Sequence, residues 1–134
     1  MVNPEVSSVL LYPMLFHVAW VVLLYVLLTV VRAPAVWGVR VAEEVARQWS
    51  AFEPRVSANL SNQFEWPTLF YVVCLLLMVR GNEVEPVYVA LAWVFVGGRV
   101  MHSFVQILTA NIRLRGAIFT LNFLAVVAMW GLLL

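Results

Sequence analysis

Apolar positions run almost unbroken through four stretches of the chain, and polar residues separate them. From Val6 to Val31 there is no Asp, Glu, Lys or Arg, and at about 1.5 Å per residue such a run crosses a hydrocarbon core of roughly 30 Å with some tilt. Residues 32–54 change character, with Arg32, Arg40, Glu43, Glu44, Arg47 and Glu53 set among Val, Ala and Trp. Within them, residues 36–49 read as an amphipathic connector at the membrane surface. The pattern predicts further spans over 55–79, 87–110 and 117–134. A polar Gly- and Pro-containing loop joins the second and third. A tight turn from Asn111 to Gly116 joins the third and fourth. The prediction is one all-α domain over residues 1–134, an integral membrane four-helix bundle.

Composition agrees with that pattern. The chain is 64% hydrophobic and 11% charged, too apolar for an ordinary soluble domain of 134 residues. It has no Lys, and its eight basic residues against seven acids leave a net charge of +1, so no basic surface points to nucleic acid. The first run is too long for the apolar region of a cleaved signal peptide and lacks a preceding Arg or Lys. Charge also orients the spans. The first and third loops hold Arg32, Arg40, Arg47, Arg55, Arg113 and Arg115, whereas the second has Arg80 beside two Glu. The positive-inside rule places the first and third loops in the cytoplasm and both termini on the other side. Tyr12, Trp37, Trp49, Trp66, Tyr88 and Trp130 fall near span ends and partly fit an interfacial belt, whereas Trp20 and Trp93 do not and read as packing or lipid-facing residues.

Two spans carry polar residues where lipid does not tolerate them. Arg55, Asn59, Asn62 and Gln63 fall on one helical stripe about 80–100° wide, with Glu65 about 60° beyond Asn62. On the third span Arg99, His102, Ser103, Gln106 and, by extension, Arg113 share a stripe about 100° wide. A charged side chain at membrane depth costs at least about 2.5–3.5 kcal/mol unless paired or hydrated. The economical arrangement turns the stripes toward each other, with Glu65 paired to Arg99 or to an arginine of the 113–115 turn and Gly97-Gly98 allowing close approach. One such pair would fix helix register and nothing more. The larger number of hydrogen-bonding groups at one depth favours a hydrated, anion-attracting pocket open to the cytoplasmic side.

Other chemistry is thinly represented. His17 stands alone on the first span and reads as a packed or helix-bonded residue. His102 has no Cys or His at metal-ligand spacing, so no metal site is expected. The one cysteine, Cys74, lies in an apolar run and reads as a packed thiol. No Ser-His-Asp grouping, phosphate-binding loop or dinucleotide fingerprint is present.

Two blocks resemble a known family, the membrane-associated proteins in eicosanoid and glutathione metabolism (MAPEG). The segment from Arg55 through Asn59, Asn62 and Glu65 to Trp66, Pro67, Phe70 and Tyr71 is similar to the family's Asn-x-x-Glu followed by Pro and an aromatic. The run from Ala92 through Gly97-Gly98-Arg99 to His102, continuing to Asn111, Arg113, Arg115 and Gly116, resembles its third-helix Arg-x-x-His and the following Arg-containing turn. The Asn-Gln-Phe-Glu-x-Pro form is most similar to small bacterial members, which implies a bacterial inner membrane. The sequence departs from the family twice. Ala58 and Asn59 stand where an Arg commonly precedes the motif Asn, and Gln106 replaces a Tyr one turn after the His.

The resemblance implies a homotrimer in membrane lipid with glutathione as cosubstrate, bound between subunits near the cytoplasmic side. Arg55, Asn59, Asn62, Glu65, Arg99, His102 and Gln106 become the candidate glutathione-binding residues. Arg113 or Arg115 becomes the candidate catalytic residue that stabilises the thiolate. Two functions remain open on these grounds. One is a glutathione-dependent transferase or peroxidase acting on a lipophilic electrophile. The other is a non-catalytic subunit of the same fold that packs with other membrane subunits in a larger complex.

Overall fold

A computed structural model describes residues 8–80 and 84–134. The expected start of the first span, at residues 6 and 7, and residues 81–83 of the expected second loop lie outside the described residues. A 3₁₀ turn, Ser8–Leu10, leads into α1 (Leu11–Trp37). Then follow α2 (Glu43–Asn62), α3 (Trp66–Arg80), α4 (Pro86–Leu108) and α5 (Ile112–Leu133). Four helical stretches are long and apolar enough to cross a membrane, α2 and α3 together forming one of them. The protein is an all-helical integral membrane four-helix bundle.

Local chemistry sets the breaks. Pro13 is accepted in the first turn of α1, where its missing N–H has no partner to lose. The helix ends at Gly38, whose φ of 64° is the left-handed conformation glycine adopts without penalty, and its N–H donates to the Ala33 carbonyl. The expected surface connector over 36–49 is not a separate element. Val36 and Trp37 finish α1, and Glu43 begins a helix continuous through Arg55 to Asn62. Glu43 and Glu44 in its first turn favour that start by complementing the helix dipole. Pro54 removes one backbone bond without ending the helix. The second span therefore begins inside a longer helix, which Arg32 fastens to α1 through Glu53 (2.6 Å) and Ser57 (3.3 Å).

The same span is interrupted where continuity was expected. Pro67 offers no N–H to the Gln63 carbonyl and its ring crowds that group, so α2 stops at Asn62 and α3 resumes at Trp66. The final turn tightens through Gln63 N–H to Leu60 O and Phe64 N–H to Ser61 O, both 3.0 Å. Arg113 and Arg115 also shift from the expected turn onto a helix. The Asn111 side chain accepts from the Leu114 N–H at 3.0 Å, an N-cap that starts α5 at Ile112.

Packing arranges the interior in three layers along the bundle. One apolar layer joins Met14 of α1, Phe70 and Val73 of α3, Phe95 and Val96 of α4, and Val126 and Met129 of α5. A second joins Leu24 and Leu28 of α1, Val56 and Leu60 of α2, and Ile107 of α4. Between them lies a buried polar layer of His17, Asn59, Gln63, Arg99 and Ser103. Since lipid gives helices no hydrophobic reason to associate, close packing and the interhelical bonds of this middle layer hold the bundle, at about 0.6 kcal/mol per bond on average.

Gly98 makes the closest contact, and its partner is not the helix the sequence implied. A Cβ placed on it would fall 1.8 Å from Asn122 Oδ1, whereas one on Gly97 meets nothing within 4 Å. The close approach is therefore between α4 and α5, with the Asn122 carboxamide seated on the Gly98 backbone. Gly98→Ala is expected to destabilise the protein by about 1–3 kcal/mol through overpacking, while Gly97→Ala is tolerated. Adding Asn122→Ala to Gly98→Ala should restore much of the loss by making room for the methyl group. Thermal denaturation of the three variants in detergent checks this, and equal behaviour of both glycine variants would contradict it.

Candidate functional site

The break in the second span creates the site. Without an α-helical partner for it, the Asn62 carbonyl accepts Arg99 Nη2 at 2.8 Å. Arg99 Nε donates to Gln63 Oε1 at 3.2 Å. The expected Glu65–Arg99 ion pair does not form, and among the described residues Glu65 takes part in no ion pair. A released backbone carbonyl and a side-chain amide satisfy this edge of the guanidinium instead. Its Nη1 group takes no acceptor among the described residues.

Arg99 orients a network that reaches α1, α2 and α3. A guanidinium only donates, so the Gln63 atom facing it is the oxygen, and the Gln63 amide nitrogen must point the other way. That nitrogen donates to Asn59 Oδ1 at 3.3 Å and to Ser103 Oγ at 3.2 Å. Ser103 also accepts Trp20 Nε1 at 3.1 Å and donates to the Arg99 carbonyl at 3.0 Å. The Gln63 oxygen lies 3.0 Å from His17 Nε2, so this nitrogen carries the proton and donates. His17 Nδ1 is then left to accept from the Tyr71 hydroxyl at 2.7 Å. One level up, Gln106 Oε1 accepts from both Asn59 (2.9 Å) and Asn62 (3.2 Å).

Three neighbouring cavities with shared wall residues lie beside this network. The innermost, of about 60 Å³, is lined by Asn62, Glu65, Trp66, Arg99, His102 and Phe119. Asn62, His102 and Phe119 also border a cleft of about 420 Å³ lined by Gln106, Ile112 and Arg115. Gln106, Ile112 and Arg115 in turn border an outer cleft of about 390 Å³ that reaches Arg55, Ala58 and Asn111. Two buried polar atoms at the inner chamber, Trp66 Nε1 and His102 Nδ1, lack hydrogen-bond partners among the described residues. The groove thus holds guanidinium groups at Arg99, Arg115 and Arg55, with the Glu65 carboxylate at its inner end. It suits a small polar ligand bearing more than one carboxylate and an amine.

Not every sequence-derived candidate lines the groove. Arg55, Asn62, Glu65, Arg99, His102, Gln106 and Arg115 do. Asn59 is fully buried and serves the network. Arg113 is exposed and lines none of the three cavities. The N-cap at Asn111 explains the difference, because residues 113 and 115 of one helix point about 200° apart. Trp66, expected at the interface, instead lines the inner chamber and stacks on Phe123 with centroids 4.6 Å apart. Residues outside the two polar stripes also matter: His17, Trp20 and Tyr71 in the network, and Phe119 in the wall. An amide-bearing neighbour at matching depth was the available signal for His17. Phe119 offered none.

Comparison with protein-family models matches residues 10–134 to the MAPEG family. No curated protein and no solved structure matches the chain.

Proposed function

Because the chain belongs to the MAPEG family, we propose that it is a glutathione-dependent membrane transferase or peroxidase acting on a lipophilic electrophile. The observation that carries this reading is Arg99, which has donor capacity left after its bonds to Gln63 and Asn62 and lines a chamber together with Glu65, beside a cleft lined by Arg115. Guanidinium groups hold the two carboxylates of glutathione, where a planar fork gives charge-assisted, bidentate bonds. Glu65 takes the amine. The thiol lies toward Arg115, whose charge raises the fraction present as thiolate, the nucleophilic form. The apolar electrophile enters from lipid, and the sulfur attacks it, forming an S–C bond as a leaving group departs or an activated double bond opens. With a hydroperoxide the O–O bond breaks, alcohol leaves, and a second glutathione converts the sulfenic acid to disulfide and water.

The working unit is a homotrimer in a bacterial inner membrane, with the Arg-rich ends of the spans cytoplasmic. Support for assembly comes from Glu65, which is exposed on the single subunit at a depth where lipid penalises charge. A neighbouring subunit and bound glutathione would cover it.

Titration of the purified protein with glutathione, followed by calorimetry and thiolate absorbance, tests the reading. Wild type should bind at millimolar concentration or below. Glu65→Gln should bind at least about tenfold more weakly, since a bond to a charged group contributes about 1.5–3 kcal/mol. A wild type that binds no glutathione would overturn the enzyme reading in favour of a non-catalytic membrane subunit.

A further inference from the structure

Arg99 can act on a ligand in the chamber it lines only if its guanidinium is held in place there, and part of what holds it comes from elsewhere in the bundle. Its Nε edge rests on Gln63 Oε1, and that oxygen also accepts from His17 on α1. His17 is itself held by the Tyr71 hydroxyl from α3. Both His17 and Gln63 are buried, and neither His17 nor Tyr71 lines the inner chamber. The tautomer follows from the donor order: Gln63 presents oxygen to Arg99, so His17 donates through Nε2 and accepts from Tyr71 through Nδ1. A residue on the first span thus holds that side-chain oxygen, and one beyond the helix break holds the tautomer of that residue.

We propose that His17 and Tyr71 are positioning residues for Arg99, acting through Gln63 on the carboxylate end of the bound cosubstrate. This rests on the glutathione reading given above. With the tautomer locked, the Gln63 carboxamide cannot rotate to present its nitrogen to Arg99 without breaking the bond to His17. Such a rotation would set donor against donor and turn the guanidinium out of the chamber. Tyr71 acts one step back, because its hydroxyl keeps the His17 proton on Nε2.

The test uses three ligands: glutathione and its two monoesters, each lacking one carboxylate. Arg99→Leu identifies which carboxylate Arg99 holds, as the variant should weaken glutathione and one ester while leaving the other ester unchanged. His17→Phe and Tyr71→Phe should reproduce that pattern, each with a loss of about three- to tenfold, the range of one neutral hydrogen bond. Thermal stability is measured alongside, and Tyr71→Phe, which removes only a hydroxyl, carries the test if His17→Phe does not fold. A merely structural role would weaken all three ligands alike, and that result overturns the proposal, as does unchanged binding in both variants. Wild type that binds none of the ligands instead overturns the glutathione reading, and this proposal with it.

Discussion

Replacing Arg115 by alanine is expected to lower the glutathione-dependent rate by about a hundredfold to a thousandfold, the range seen when one preorganised donor to developing negative charge is removed. Arg113→Ala should remain near wild type. Both residues lie in the first turn of α5, but only Arg115 borders the cleft that leads inward to His102 and Asn62. A guanidinium there acts before the chemical step, since the thiol must lose its proton to attack. The deficit of Arg115→Ala should therefore shrink as pH rises through the ordinary thiol range, about 8.5, where thiolate forms unaided. Rates across pH for both variants, with thiolate absorbance at each point, check this. Equal losses in the two variants, or a deficit independent of pH, would count against Arg115 as the thiolate's partner.

The spans and polar stripes were legible because lipid enforces a simple rule, that charged and amide groups collect on faces turned away from it. Arg99, His102, Asn62 and Glu65 stood out for that reason and do gather at one chamber. The pairing within the stripes was not legible. Opposite charges suggest Glu65 with Arg99, but the acceptor that Arg99 finds is a backbone carbonyl, and a pattern of side chains carries no record of backbone groups. Pro67 was the visible cause, since its missing N–H ends α2 just beyond Asn62. Asn122 shows another limit. It is the one amide in the apolar run from Ala117 to Leu134, a mark as plain as His17. Its seat on Gly98 depends on the register of α4 against α5, which neither helix specifies alone. The choice of Arg115 over Arg113 likewise depended on an N-cap that moves the helix start by a few residues.

Gln63→Leu is expected to be the most destabilising single substitution in the polar layer, at about 3 kcal/mol or more, since it removes one hydrogen bond to a buried charge (about 1.5–3 kcal/mol) and three neutral ones. One side chain serves four neighbours: its oxygen accepts from Arg99 and His17, and its nitrogen donates to Asn59 and Ser103. Leucine fills similar space and satisfies none of them. The greatest part of the cost belongs to Arg99, which keeps only the Asn62 carbonyl and loses the acceptor of its buried Nε edge, and a bond to a charged group contributes more than a bond between neutral ones. Removing the charge as well should then recover stability, so Gln63→Leu with Arg99→Leu should be more stable than Gln63→Leu alone, although it lacks one more polar group. Gln63→Glu should be milder than Gln63→Leu, since it keeps an oxygen for Arg99 and His17 and adds opposite charge while losing both donated bonds. Denaturation in detergent of the two single variants and the double completes a cycle whose coupling term isolates the Gln63–Arg99 contact. Additive losses would mean that the middle layer is held by its amides and hydroxyls, and that the buried arginine belongs to the ligand rather than to the fold.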